Sequence, residues 1–245
     1  MFYHHVSVID TDNRTRPGSV LARLERGETV DEPELIAALR SPHCPATLVE
    51  MLATGSSARL SRRISRLLVC HPSCPRTSAW DLMLLLGWHD LVEVVRNLRT
   101  PPAVRRQAER KLLQRLARLT AGERTALARA APRSIIVPLL VSDDPGCVRA
   151  LLDNPRFCET DAVRLVHDNA SPRCVLEVLR HRRWGRARTV LAAALRHCAL
   201  PLPVIMGLMV SAAAGDLEEL VRAEDVPREI RSAAADLLSH RKGSS

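Results

Sequence analysis

Apolar residues along this chain recur three and four positions apart in short runs: Leu48, Met51 and Leu52; Trp80, Met83 and Leu84; Val163 and Val166; Ile205, Leu208 and Met209. Such spacing puts the members of each run on one face of an α-helix. Each run follows a proline-bearing word. The words are Leu39-Arg40-Ser41-Pro42-His43-Cys44-Pro45, Val69-Cys70-His71-Pro72-Ser73-Cys74-Pro75 and Leu152-Asp153-Asn154-Pro155-Arg156-Phe157, with Leu195-Arg196-His197-Cys198-Ala199-Leu200-Pro201 a degenerate fourth. A proline pushes the residue before it out of the α region, so each word ends one helix and opens the next.

A second word starts the other helix of each pair. Pro101-x-x-Val104-Arg105, Pro145-x-x-Val148-Arg149 and Pro227-x-x-Ile230-Arg231 match, and Pro172-x-x-Val175-Leu176 keeps the apolar residue but not the arginine. Behind them stand residues suited to a buried helix face: Ala108, Leu112 and Leu113; Leu151 and Leu152; Leu179; Ala234, Leu237 and Leu238. Strand signals are nearly absent, with no alternating β-branched or aromatic run and no Asn-Gly or Asp-Gly turn. The pattern predicts an all-α fold.

Proline spacing organises these helices. Pro42, Pro72, Pro101 or Pro102, and Pro132 lie about 30 residues apart, and Pro155, Pro201 and Pro227 continue at about 23, 46 and 26. That interval is one helical hairpin, and self-similarity of this size marks a repeat architecture. A lone hairpin buries too little apolar surface to offset its ordering entropy, so neighbours must share a core. The expectation is an α-solenoid of about seven hairpins. Residues 1–16 are expected as a loose lead-in, 17–240 as one repeat domain and 241–245 as a disordered tail. Asp31-x-Pro33-Glu34 opens a helix. The repeat is least regular over 106–140, where Thr120-x-x-Glu123 reads as a capping box opening a helix through Ala131, and Pro138 interrupts the next.

Two segments carry a family resemblance. Asp143-Asp144-Pro145-Gly146-Cys147-Val148-Arg149-Ala150-Leu151-Leu152 and Glu224-Asp225-Val226-Pro227-Arg228-Glu229-Ile230-Arg231-Ser232-Ala233-Ala234 resemble the second helix of HEAT repeats. Val148 to Pro155 also resembles the bacterial variant leucine-rich repeat, a HEAT-like relative. The resemblance spans about residues 32 to 240 and implies stacked hairpins whose surface binds another protein. Some variant leucine-rich proteins carry an iron-sulfur cysteine cluster, which this chain does not match. HEAT-like DNA glycosylases supply the enzymatic alternative, but their catalytic acid and aromatic residues find no counterpart here.

Composition and charge add two further classes to weigh. Of 245 residues, 46% are hydrophobic and 2% aromatic, and ten glycines stand against sixteen prolines, which suits close-packed helices with fixed starts. No stretch approaches the roughly 18 apolar residues of a membrane span. Seven scattered cysteines and an N-terminus without the layout of a signal peptide suggest a soluble, cytoplasmic protein with free thiols. Thirty-six Lys and Arg against 27 Asp and Glu leave a net charge of +9, and only Lys111 and Lys242 are lysines.

Arginine concentrates at Arg59, Arg62, Arg63 and Arg66, at Arg105, Arg106, Arg110, Lys111, Arg115 and Arg118, and at Arg180, Arg182, Arg183, Arg186 and Arg188. Stacked in register, these would form a stripe able to follow a phosphate backbone. The competing reading is a solvated helix face with local ion pairs, in which motif arginines meet acidic residues of neighbouring repeats. Few aromatics argue against binding single strands by stacking, with Trp88 and Trp184 the plausible platforms.

Reactive chemistry is sparse. Cys44 and Cys74 sit at equivalent places, two residues after the motif proline. With Cys70 and His71 they are remote candidates for zinc, but a small buried residue explains each better. His89-Asp90 and His167-Asp168 are adjacent on a helix, where neighbours are expected to point apart. No nucleophile elbow, phosphate loop, dinucleotide fingerprint or His-Glu-x-x-His motif occurs. The reading is a non-enzymatic scaffold or adaptor without a cofactor. A duplex nucleic-acid binder is the alternative.

Overall fold

The computed structural model describes residues 15–55, 60–197, 199–224 and 226–243. Secondary structure in these residues is helical, with no strand among them. The chain divides into two compact units, one ending at Ala117 and the other beginning at Arg118.

The first unit holds α1 (Pro17–Glu25), α2 (Glu32–Arg40), α3 (Ala46–Thr54), α4 (Arg62–Cys70), α5 (Arg76–Leu85), α6 (Trp88–Arg96) and α7 (Pro102–Leu116). The second holds α8 (Ala121–Ala130), α9 (Arg133–Leu139), α10 (Pro145–Leu152), α11 (Glu159–Asp168), α12 (Pro172–Arg180), α13 (Arg188–Leu195), α14 (Leu202–Ser211), α15 (Ala214–Arg222) and α16 (Arg228–Gly243). A turn of 3-10 helix, Trp184–Arg186, lies between α12 and α13.

Local chemistry sets the helix starts. Pro45, Pro75, Pro101, Pro132 and Pro201 are the caps of α3, α5, α7, α9 and α14, and in the two words that hold two prolines the second opens a helix while the first lies in the turn. Elsewhere a side chain caps. Ser61 accepts the Ile64 N–H, Asp144 the Gly146 N–H, and Thr120 and Glu123 form a reciprocal capping box. Pro138 lies inside α9 and accompanies its short length of 7 residues.

Packing is between near neighbours. In the first unit α2 packs on α4 and α4 on α6, while α1 packs on α3, α3 on α5 and α5 on α7. The two rows meet through α1 with α2, α3 with α4, α4 with α5, and α6 with α7. Leu48, Leu68, Leu82, Met83, Leu86, Leu91 and Leu112 are fully buried between them. Near the C-terminal end of α7, Arg115 donates to the carbonyl of Leu86, which follows the C-terminal end of α5, so the two helices run parallel. In the second unit α8 packs on α10 and α10 on α12, α11 on α13, and α14 on α16, with α9, α11 and α15 each against the helix that follows.

Polar bonds repeat with the same stride. Arg133 pairs with Asp161, Arg149 with Glu177 and Arg188 with Asp216, each 28 residues apart. In the first unit Arg62 reaches Asp90 at the same interval. Three of these pairs share one geometry: Arg62, Arg133 and Arg188 are the first residues of α4, α9 and α13, and Asp90, Asp161 and Asp216 are the third residues of α6, α11 and α15. A carboxylate there also suits the positive end of the helix dipole.

Buried amides close the turns. Asn154 Nδ2 donates to the carbonyls of Ala128 and Ala131, and Asn169 Nδ2 to those of Leu140 and Ser142. Their Oδ1 atoms accept the N–H two residues on, from Arg156 and Ser171. Ser41, His71, Asn97 and His181 hold the same N–H with their own side chains. The small or polar residue before the proline in the first three words, Ser41, His71 or Asn154, is therefore the one that caps the turn, satisfying backbone groups that would otherwise be orphaned at a helix end.

The closing helix runs to Gly243. The sequence places fraying from residue 241, yet Arg241 donates to the carbonyls of Met209, Val210 and Ala212 at the end of α14, which holds that turn in place.

Candidate functional site

The predicted basic residues divide by what holds them. Arg59 lies outside the described residues. Arg62 and Arg66 both face Asp90, whose carboxylate also accepts the Gly87 N–H. Arg63 lines a groove with Glu32, Ile36 and Arg40. Within the first unit these arginines and those of α7 do not share a row, because α4 packs between α2 and α6 whereas α7 packs on α5. Arg188 is committed to Asp216, and Arg183 lies 4.2 Å above the Trp184 ring. Arg182 and Arg186 are exposed.

On α7, Arg106 and Arg110 are exposed, Arg105 and Lys111 half-buried. The Nε of Arg105 has no hydrogen-bond partner among the described residues. Burial, then the nearby Arg115 charge, lowers the Lys111 pKa from its ordinary value. Arg106 and Arg110 enter no ion pair among the described residues.

The tryptophans are placed differently from the expectation of Trp88 and Trp184 as stacking platforms. Both are buried. Trp88 stacks on His89, and Trp184 packs against Phe157 while its indole N–H donates to the Leu152 carbonyl. The exposed tryptophan is Trp80, with Leu84 beside it one helical turn on. The periodicity assigns both to a core face. The run Leu82-Met83-Leu84-Leu85-Leu86 is apolar on every side of α5, and that excess over one face is the only signal of exposure the sequence carries.

Cys44 and Cys74 keep equivalent surroundings, each thiol directed at the carbonyl of the following proline, Pro45 or Pro75. Burial raises both thiols, Cys74 to about 11, which keeps them protonated at neutral pH. His71 is occupied in capping through Nδ1, and burial lowers its pKa. Among the described residues no group of three or more His, Cys, Asp and Glu is placed to hold a metal ion.

The His-Asp pairs behave unequally. Asp90 serves Arg62, Arg66 and Gly87. His167 and Asp168 do meet, Nδ1 to Oδ1 at 2.9 Å, contrary to the expectation that adjacent residues point apart. They stand at the free C-terminal turn of α11, where both side chains can swing out to solvent. The His167 bond and then the Arg164 bond lower the Asp168 pKa. The pair is exposed, and among the described residues no nucleophile is hydrogen-bonded to it.

The second unit contains an apolar cavity of about 280 Å³ whose lining includes Leu195, Leu200, Leu202, Ile205, Val226 and Ile230. His197 borders it; Nε2 donates to the Asn169 carbonyl, and the buried Nδ1 has no partner among the described residues. Next to it α14 carries no charged residue and exposes Leu202, Met206 and Val210 at four-residue intervals. No helix of the described residues is long and apolar enough to cross a membrane.

In comparisons with known proteins, no family model, curated protein or solved structure matches this chain.

Proposed function

We propose that each unit is a run of stacked helical hairpins of the α-solenoid kind and that the protein is a non-enzymatic scaffold or adaptor, its helix rows offering an extended surface to another protein. The observation that carries this reading is the 28-residue stride of Arg62 to Asp90, Arg133 to Asp161 and Arg188 to Asp216. Residues at equivalent helix positions pair in each case, as translation of one hairpin onto the next requires. A surface built this way is long and repetitive and demands no reactive centre, which makes binding its natural use; the step from fold to binding is an analogy between architectures.

The competing reading is a duplex nucleic-acid binder. It draws on the net charge of +9, but Arg62, Arg66, Arg133, Arg149 and Arg188 spend their charge on Asp and Glu partners. Affinity purification of the full chain at moderate salt should recover a protein in stoichiometric amount. Binding to duplex DNA that falls about 10³-fold between about 50 and 200 mM salt, with no protein partner recovered, would establish the alternative instead.

A further inference from the structure

His197 stands where the other turns hold a cap. At the ends of α2, α4, α6, α10, α11 and α12, the side chains of Ser41, His71, Asn97, Asn154, Asn169 and His181 each accept the N–H two residues on. The backbone turn after α13 is the same as those after α2 and α4: Leu200 donates its N–H to the His197 carbonyl, as Cys44 does to that of Ser41 and Cys74 to that of His71. Yet the His197 side chain does not close its turn. Nε2 lies 2.9 Å from the Asn169 carbonyl, and Nδ1, sealed from solvent, has no partner among the described residues.

The tautomer follows from the bond. A carbonyl can only accept, so Nε2 carries the ring proton, and Nδ1 of the neutral ring keeps a lone pair that lacks a donor. The two nitrogens of an imidazole point away from each other. Asn169, which holds Nε2, lines a separate groove that His197 also borders and takes no part in the apolar cavity. With Nε2 turned to Asn169, Nδ1 is left for the cavity of about 280 Å³, whose buried floor is Leu195, Leu200, Ile205, Val226 and Ile230. Arg196 and Glu229, the charged residues of the lining, are exposed and belong to its mouth.

A buried acceptor without a donor is unfavourable, and water is a poor remedy in this hollow. A held water needs about two to four polar partners, whereas the buried side chains of the lining offer His197 alone. We infer that this cavity is a binding site for a small, neutral, largely apolar molecule that carries one O–H or N–H and donates it to His197 Nδ1. The apolar body of the ligand takes the Leu, Ile and Val floor out of water, and the single donor fixes its orientation. An apolar cavity of about 150 Å³ takes up benzene, so this one has room for a substituted ring or two fused rings. An ion would lie unpaired among these floor residues, which excludes charged ligands from it. The site is independent of the scaffold reading.

Indole and benzofuran are the probes, because they match in size and shape and indole alone donates an N–H. Calorimetric titration of the full chain should show one equivalent of indole bound, with benzofuran about 10-fold weaker, the worth of one hydrogen bond. His197→Phe keeps a ring in place but removes the acceptor, and should bring the two affinities within about 2-fold of each other. Leu202→Trp, at a mouth residue that is 48% exposed, should weaken both probes. Unchanged circular dichroism will verify that the variants fold. A measurement on the wild-type chain needs no variant to fold: the nitrogen magnetic resonance of His197 Nδ1 should shift when indole binds and shift less with benzofuran.

Equal affinity for the two probes, a preference for indole that survives His197→Phe, or no heat of binding up to about 1 mM indole would overturn the inference. So would indole that binds without moving the His197 Nδ1 resonance, or that binds Leu202→Trp undiminished. The scaffold reading is tested by recovery of a protein partner, so the two fail separately.

Discussion

Replacing Asp161 tests whether the 28-residue contacts hold hairpins together or merely decorate them. Its carboxylate is buried, accepts from Arg133 and from the Cys158 N–H, and takes the Cys158 thiol at 3.1 Å. Burial alone would raise its pKa, but the Arg133 bond and the Cys158 backbone and thiol bonds together bring it below the ordinary value. A hydrogen bond to a charged group is worth about 1.5–3 kcal/mol and an N-terminal cap about 1 kcal/mol. Arg133 is 53% exposed, so solvent screens its share and rehydrates it once the partner is gone. Asp161→Ala should therefore cost about 2–3 kcal/mol, or roughly 6–12 °C in Tm for a unit of this size. A double-mutant cycle with Arg133→Ala should show about 1 kcal/mol of coupling.

Acid should erase the difference. A depressed folded-state pKa contributes stability that is fully present above the unfolded value of about 3.9 and is lost as pH falls through the folded value. Urea melts of wild type and Asp161→Asn should differ by a constant amount near neutrality and converge below about pH 4. Additivity within about 0.3 kcal/mol, or a gap that persists unchanged into acid, would refute the idea that this pair couples the hairpins.

The remaining predictions concern caps, close approach and thiols. Asn154→Ala and Asn169→Ala each remove two amide-to-carbonyl bonds and one accepted N–H in a buried turn, and thermal melts should show a loss of about 2–4 kcal/mol for each. A Cβ added at Gly185 would stand 2.0 Å from the Leu179 carbonyl oxygen, and the obstacle is backbone, so Gly185→Ala should cost at least about 2 kcal/mol or prevent folding of the second unit by circular dichroism. Cys74, buried and with its thiol pushed up to about 11, should react with a thiol reagent at pH 8 far more slowly than after unfolding in urea; equal rates would contradict its burial.

Helix identity and helix ends were legible in the chain because they depend on neighbours in sequence. Pro45, Pro75 and Pro101 fix backbone angles locally, Thr120 and Glu123 bond within one turn, and apolar residues at three- and four-residue intervals mark a helix wherever it lands. Partnership between distant residues was not legible. The sequence signals that motif arginines could meet acids of neighbouring repeats, but only packing chooses Asp161 for Arg133, Asp216 for Arg188, and no such partner for Arg106 and Arg110. The same holds for Trp80 and Leu84: periodicity cannot tell which of the apolar residues of α5 a neighbour will cover. Composition and periodicity thus determined an all-helical chain with its turns in place, because those properties are local. The tertiary structure alone decided which charges are neutralised and which apolar groups remain in water, because burial and pairing arise when residues tens of positions apart are brought side by side.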